Sequence, residues 1–169
     1  MQDQNKKVAI VTGGGSGLGF AIAQKFTREG ITTIIAGRDT DKLNKAKEQL
    51  GDLCHAVVCD VSNLASVPAF VRQVVNDFGR IDVLVNNAGI NMKKEFTEVT
   101  DEDFQKVITT NLTAVFTISR EVVKQMLEQK SGCIINISSM AAQYGLPKVI
   151  AYSASKTAID GMTRAMAVE

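Results

Sequence analysis

Along this chain, apolar runs of strand length alternate with segments whose apolar residues recur at helical spacing. "KVAIVT" (7–12) precedes "GLGFAIAQKFTREG" (17–30), in which Leu18, Ile22 and Phe26 share one helical face. "ITTIIA" (31–36) precedes the charged segment "DTDKLNKAKEQLG" (39–51), where Asp39 reads as the N-terminal cap and Gly51 as the stop. "HAVVCD" (55–60) precedes a helix reaching Phe78 and closed by Gly79, with Pro68 placed where first-turn donors lack helical partners. "IDVLVNNAG" (81–89) is a fourth strand with its exit loop, and "GCIINISS" (132–139) a fifth. Between them, residues 100–129 are long enough for two helices or one bent helix. A last amphipathic helix covers "YSASKTAIDGMTRAMAVE" (152–169) and carries no terminator.

Nearly unbroken Val/Ile runs suit strands covered on both faces, as in a parallel sheet. Parallel strands joined by right-handed helical crossovers give an α/β, doubly wound, Rossmann-like sheet of three layers. Neither an internal repeat nor a Pro/Ser-rich linker divides the chain, so residues 1–169 read as a single domain.

Composition narrows the function. The formal net charge of +1 provides no electrostatic footprint for nucleic acid or an anionic membrane. Tryptophan is absent and aromatics are 5% of residues, so a platform for stacking single-stranded bases is not expected. The start, "MQDQNKK", reads as neither secretory signal nor membrane span. Cys54, Cys59 and Cys133 lack CxxC spacing and read as small buried residues in a reducing, cytoplasmic setting. With His55 as the sole histidine, no metal site is expected.

"TGGGSGLG" (12–19) sits where the first strand must turn into the first helix. Gly13, Gly17 and Gly19 permit unusual φ values and close approach of a phosphate, toward which the helix presents free N–H groups and its positive dipole end. The spacing is G-x-x-x-G-x-G, not G-x-G-x-x-G. At the end of the second strand, "IAGRD" puts Gly37 where an NAD-binding fold commonly carries an acid, and Arg38 follows. An arginine there suits the extra phosphate of NADP, so NADP(H) is favoured over NAD(H).

Five features occur together: "TGGGSGLG", "NNAG" (86–89), Asn111 in "TTNLTAVF", "IINISS" (134–139) and "YSASK" (152–156). In order and spacing the chain resembles the short-chain dehydrogenases/reductases, and more loosely their gluconate 5-dehydrogenase and 3-oxoacyl-carrier-protein reductase branch. The chemistry can also be argued directly. Reducing a ketone creates an alkoxide that needs a proton donor, and the reverse reaction needs a base. A phenol titrating near 10 is a poor base at neutral pH, and making it one takes about 4 kcal/mol. A lysine one helical turn away shares its face and stabilises the phenolate.

The resemblance implies roles. Tyr152 is the general acid/base, and Lys156 tunes it while holding the nicotinamide ribose. Ser139, thirteen residues before Tyr152, hydrogen-bonds the substrate oxygen; its neighbour Ser138 has the wrong spacing. Asn111 holds a water that relays protons. In the glycine loop, Gly13, Gly15, Ser16, Gly17, Leu18 and Gly19 meet the cofactor, and Arg38 meets its adenosine end. Asp60 and Val61 contact adenine. Asn87, Ala88 and Gly89 line the cofactor beside Tyr152 and Lys156. Ser153 and Ser155 read as packing residues.

The same resemblance implies a strand order of 3-2-1-4-5 followed by more chain: a sixth strand, a substrate lid and commonly a seventh strand. Without these, "CIINIS" becomes an open apolar edge and the last helix leaves apolar faces uncovered. The expectation is therefore a piece of a longer NADP(H)-dependent oxidoreductase, with the isolated chain lacking normal turnover. The other account is a truncated, catalytically silent nucleotide-binding or interaction module. The expected partners are a small carbonyl or alcohol substrate and further copies of the chain, as a dimer or tetramer when intact. Lys93 and Lys94 could attract a sugar acid or an acidic carrier protein, but read better as solvated loop charges.

Overall fold

The computed structural model describes residues 6–169; residues 1–5 of the polar start lie outside the described residues. Strands β1 (Val8–Thr12), β2 (Thr32–Gly37), β3 (Cys54–Val58), β4 (Val83–Asn86) and β5 (Cys133–Asn136) form one parallel sheet in the order β3-β2-β1-β4-β5. Helices α1 (Gly17–Arg28), α2 (Thr40–Leu50), α3 (Val67–Phe78), α4 (Asp101–Ile108), α5 (Ala114–Gln129) and α6 (Ile150–Met166) complete the chain.

Alternation along the strands builds two cores. Val8, Ile10, Ile34 and Leu84 face α3 and α5, where Val67, Phe70, Val74, Ile118 and Val122 meet them. Val11, Ile35 and Val85 face the other way and pack with Ala23 of α1 and with Leu43, Ala46 and Leu50 of α2. The helix ends are set locally. Asp39 accepts the Lys42 N–H at 3.0 Å, Pro68 lies in the first turn of α3, and Gly51 and Gly79 end their helices at φ of 78° and 80°.

One open choice is settled and two expectations need correction. The segment 100–129 is one helix interrupted by a π turn at Thr109–Thr113, with the Ala114 N–H reaching the Thr109 carbonyl. The last helix starts two residues before Tyr152 and ends at Met166. Cys133 is exposed while Cys54 and Cys59 are buried, because β5 has a neighbour on one side only. Beside that edge, Val123, Met126, Ile134 and Met166 help line an apolar groove of about 690 Å³. No described helix is long and apolar enough to cross a membrane.

With β2 and β4 on either side of β1, the connection reverses direction between β1 and β4. The carboxyl ends of those two strands thus open a crevice, the place where open α/β sheets bind ligands.

Candidate active site

The glycine loop leaves β1 at that crevice. Gly13 turns at φ 67° and donates its N–H to Ala36 O at 2.7 Å. A Cβ on Gly19 would stand 2.3 Å from Gly13 O, so the first turn of α1 seats on the loop only with glycine there. Gly17 is different: it adopts φ 55°, and a Cβ would meet nothing within 4 Å. Ser16 caps α1 in extended conformation but gives no side-chain hydrogen bond to it. First-turn N–H groups therefore remain available beside an open glycine surface, and Ser16 and Leu18 are exposed there. This cradle fits a phosphate-bearing cofactor.

A residue overlooked in the sequence holds the "NNAG" segment against that loop. Thr12 Oγ1 donates to Val85 O at 3.2 Å and accepts the N–H groups of Asn87 and Ala88, each at 3.0 Å. Asn87 Nδ2 returns to Thr12 O at 3.0 Å and Gly13 O at 3.2 Å. The Asn87 side chain is thus a brace between β1 and β4, leaving Ala88 and Gly89 to line the crevice.

Around the far end, Arg38 is exposed at the exit of β2 and lines a cleft of about 850 Å³ with Ser62, Ile90, Met92 and residues of α4. Asp60 Oδ1 accepts from the Ser62 hydroxyl at 2.6 Å and its N–H at 2.9 Å. These bonds, with a smaller contribution from the Arg38 charge, hold the Asp60 carboxyl below the usual range. Val61 is buried beside it.

Asn111 lies in the π turn, fully buried. Its Oδ1 accepts the Ile90 N–H and its Nδ2 donates to Ile90 O, both at 2.8 Å, while Nδ2 also donates to Ser155 Oγ at 3.1 Å. Ser155 passes this on to Tyr152 O at 2.7 Å. Ser155 is therefore more than the packing residue it looked like; its place three residues after Tyr152 was the only signal. A Cβ on Gly89 would come within 3.2 Å of Asn111 Oδ1, so glycine makes room for the bridge.

Helix α6 brings Tyr152 and Lys156 together, with Lys156 Nζ 5.8 Å from the centroid of the Tyr152 ring. Lys156 is 5% exposed and donates to Ile137 O at 2.5 Å. Burial pulls its ammonium below the ordinary lysine value, partly opposed by Asp160 one turn on. Two serines leave β5 with different commitments. Ser138 Oγ lies 3.5 Å from Lys156 O, whereas Ser139 Oγ accepts the Ala141 N–H at 3.1 Å and keeps its own proton to give. Ser153 Oγ is buried without a hydrogen-bond partner among the described residues.

A family model described as short chain dehydrogenase matches residues 7–169. The chain belongs to the short-chain dehydrogenase family. Relatives within it include a 3alpha-hydroxysteroid dehydrogenase of Mediterraneibacter gnavus, 41% identical over 96% of this chain and 67% of that protein. A 3-oxoacyl-[acyl-carrier-protein] reductase of Thermotoga maritima is 39% identical over 96% of this chain and 68% of its own length. A crystal structure of an actinorhodin polyketide ketoreductase with NADPH superposes with a TM-score of 0.93 at 37% identity, covering 98% of this chain and 66% of that one. The chain thus spans about two thirds of the length of these relatives.

Proposed function

We propose that this chain carries the cofactor site and the catalytic residues of an NADP(H)-dependent oxidoreductase acting on a carbonyl compound or secondary alcohol. The observation that carries the reading is the pairing on α6, where a buried ammonium stands one turn from a half-buried phenol. When bound, a nicotinamide cofactor supplies or accepts the hydride. Tyr152 gives its proton to the alkoxide, or takes one in the reverse direction. Lys156, whose ammonium lies 5.8 Å from the centroid of the Tyr152 ring, would hold the nicotinamide ribose beside that phenol. Ser139 donates to the substrate oxygen and holds it beside Tyr152.

Asn111 has given both side-chain hydrogens to the protein, so any relay water falls to a main-chain carbonyl. Where helical pairing shifts at the π turn, one carbonyl loses its usual donor and can hold that water. Gly13, Gly15, Ser16, Gly17, Leu18 and Gly19 would cradle the phosphates, with Asp60 and Val61 beside adenine. Ala88 and Gly89 would line the nicotinamide half, held in place by Asn87. A dimer or tetramer in the cytoplasm is part of the same reading, supported by Phe104 and Phe116 exposed along α4 and α5.

One observation favours a second reading, a nucleotide-binding or interaction module without turnover: the uncovered groove beside β5. Cofactor selectivity tests the first. NADPH should bind roughly tenfold more tightly than NADH, and Arg38→Asp should remove that difference. Equal binding of the two by the unaltered chain would contradict the NADP assignment, and binding of neither would overturn the first reading and leave the interaction module.

A further inference from the structure

Building on that reading, we propose that the compound held beside Tyr152 is a neutral, largely apolar ketone or alcohol with a fused-ring or long-chain body. A sugar acid, or an acyl group carried on an acidic protein, does not suit the mouth of the site.

The stretch between Ser139 and Tyr152 begins at one reacting hydroxyl and ends at the other. It leaves Met140, Tyr144, Leu146 and Ile150 between 41% and 63% exposed. Its first turn, Met140–Ala142, is fastened to α6 by Thr157 Oγ1 donating to Ala142 O at 3.2 Å. A second loop, leading away from Gly89, is tied to its far end: the Lys94 N–H donates to Lys148 O at 2.9 Å. Two residues on, Phe96 is 73% exposed. The two joined loops offer a carbonyl compound apolar side chains from both sides.

Charge points the same way. Lys94 is taken by Asp103, and Lys148 by Glu95 at 2.6 Å. Lys148 holds a left-handed backbone at φ 65°, unusual for a lysine, so this pairing is set in the loop's main chain as well as in a rotamer. Of the three lysines here, only Lys93 forms no ion pair among the described residues, and it is exposed. Beyond Asp103 and Glu95, this rim also carries Glu98, Asp101 and Glu102. Because Arg38 and Lys106 line the same cleft as Asp101 and Glu102, the rim is close to neutral, and with Lys94 and Lys148 already paired only Lys93 of the loop lysines is left among the described residues to meet a carboxylate or an acidic carrier. The acids also serve the fold: Thr100 and Asp103 cap α4 reciprocally, and acidic groups suit a helix N-terminus.

Titration of the NADPH-loaded Tyr152→Phe chain tests this without turnover, using androstane-3,17-dione as the apolar probe and 5-keto-D-gluconate as the charged one. The dione should bind roughly tenfold or more tightly than the sugar acid. Leu146→Lys should weaken dione binding by about tenfold, with NADPH affinity as the control on folding. If the sugar acid binds as well as the dione, or if neither binds once NADPH is in place, this inference is overturned and the cofactor reading stands. Failure to bind NADPH would overturn the cofactor reading, and this inference with it.

Discussion

Asn111 Nδ2 donates to Ser155 Oγ at 3.1 Å, tying the π turn to the helix that bears Tyr152. Because the same amide also pairs with both backbone groups of Ile90, one side chain joins three separated segments of the chain. Replacing Asn111 with alanine leaves buried donors and acceptors bare and should lower stability by about 3 kcal/mol. Ser155→Ala should cost about 1 kcal/mol, and the double variant less than the sum. Urea unfolding of the four proteins measures the coupling; strictly additive effects would show that the bridge carries no energy.

The two glycines of the loop should part company. Gly19→Ala drives a methyl against Gly13 O and Asn87 Nδ2, and should cost about 3 kcal/mol of stability. Gly17→Ala meets only the strain of a left-handed backbone, about 1 kcal/mol, and should leave a folded chain. NADPH affinity should nevertheless fall for Gly17→Ala, because the methyl stands on the open surface where a phosphate would sit. Thermal melts with and without NADPH separate the two effects.

Acid sensitivity should trace in part to Asp82. Burial alone would raise its carboxyl, but Arg80 at 2.6 Å and the Val8 N–H at 2.8 Å outweigh that and hold it below the usual range. A carboxyl depressed on folding adds stability that is fully present above its unfolded pKa, near 4, and lost as pH falls through the folded value. Asp82→Asn should cost about 2–3 kcal/mol at pH 7 and progressively less below pH 4. Stability curves for the two proteins that run parallel between pH 7 and 3 would contradict this.

How much of this was readable depends on how local each feature is. The caps at Asp39, Gly51 and Gly79 and the placement of Pro68 are decided by neighbouring residues, and all four read directly from sequence. The strand order also emerged, through the resemblance, because "TGGGSGLG" and "YSASK" belong to a known chain path. Thr12, Ser155 and Lys148 did not stand out. Each acts on a partner brought in from elsewhere: Thr12 reaches across the sheet to Asn87, Ser155 to Asn111, and Lys148 to Glu95. Helical periodicity runs unbroken through 100–129, so the π turn showed only as a choice between two helices and a bend. Lys94 read as a solvated charge because Asp103 is brought to it only by the turn at residues 96–100.

The central claim is that Tyr152 moves the proton in an NADP(H)-dependent reaction. Its most direct test is NADPH oxidation by the full-length protein in the presence of a ketone, measured for the natural sequence and for Tyr152→Phe, with NADPH binding measured on the same samples. The account predicts that turnover falls by roughly 10²–10⁴-fold while NADPH affinity is unchanged. Turnover that survives the substitution would contradict it.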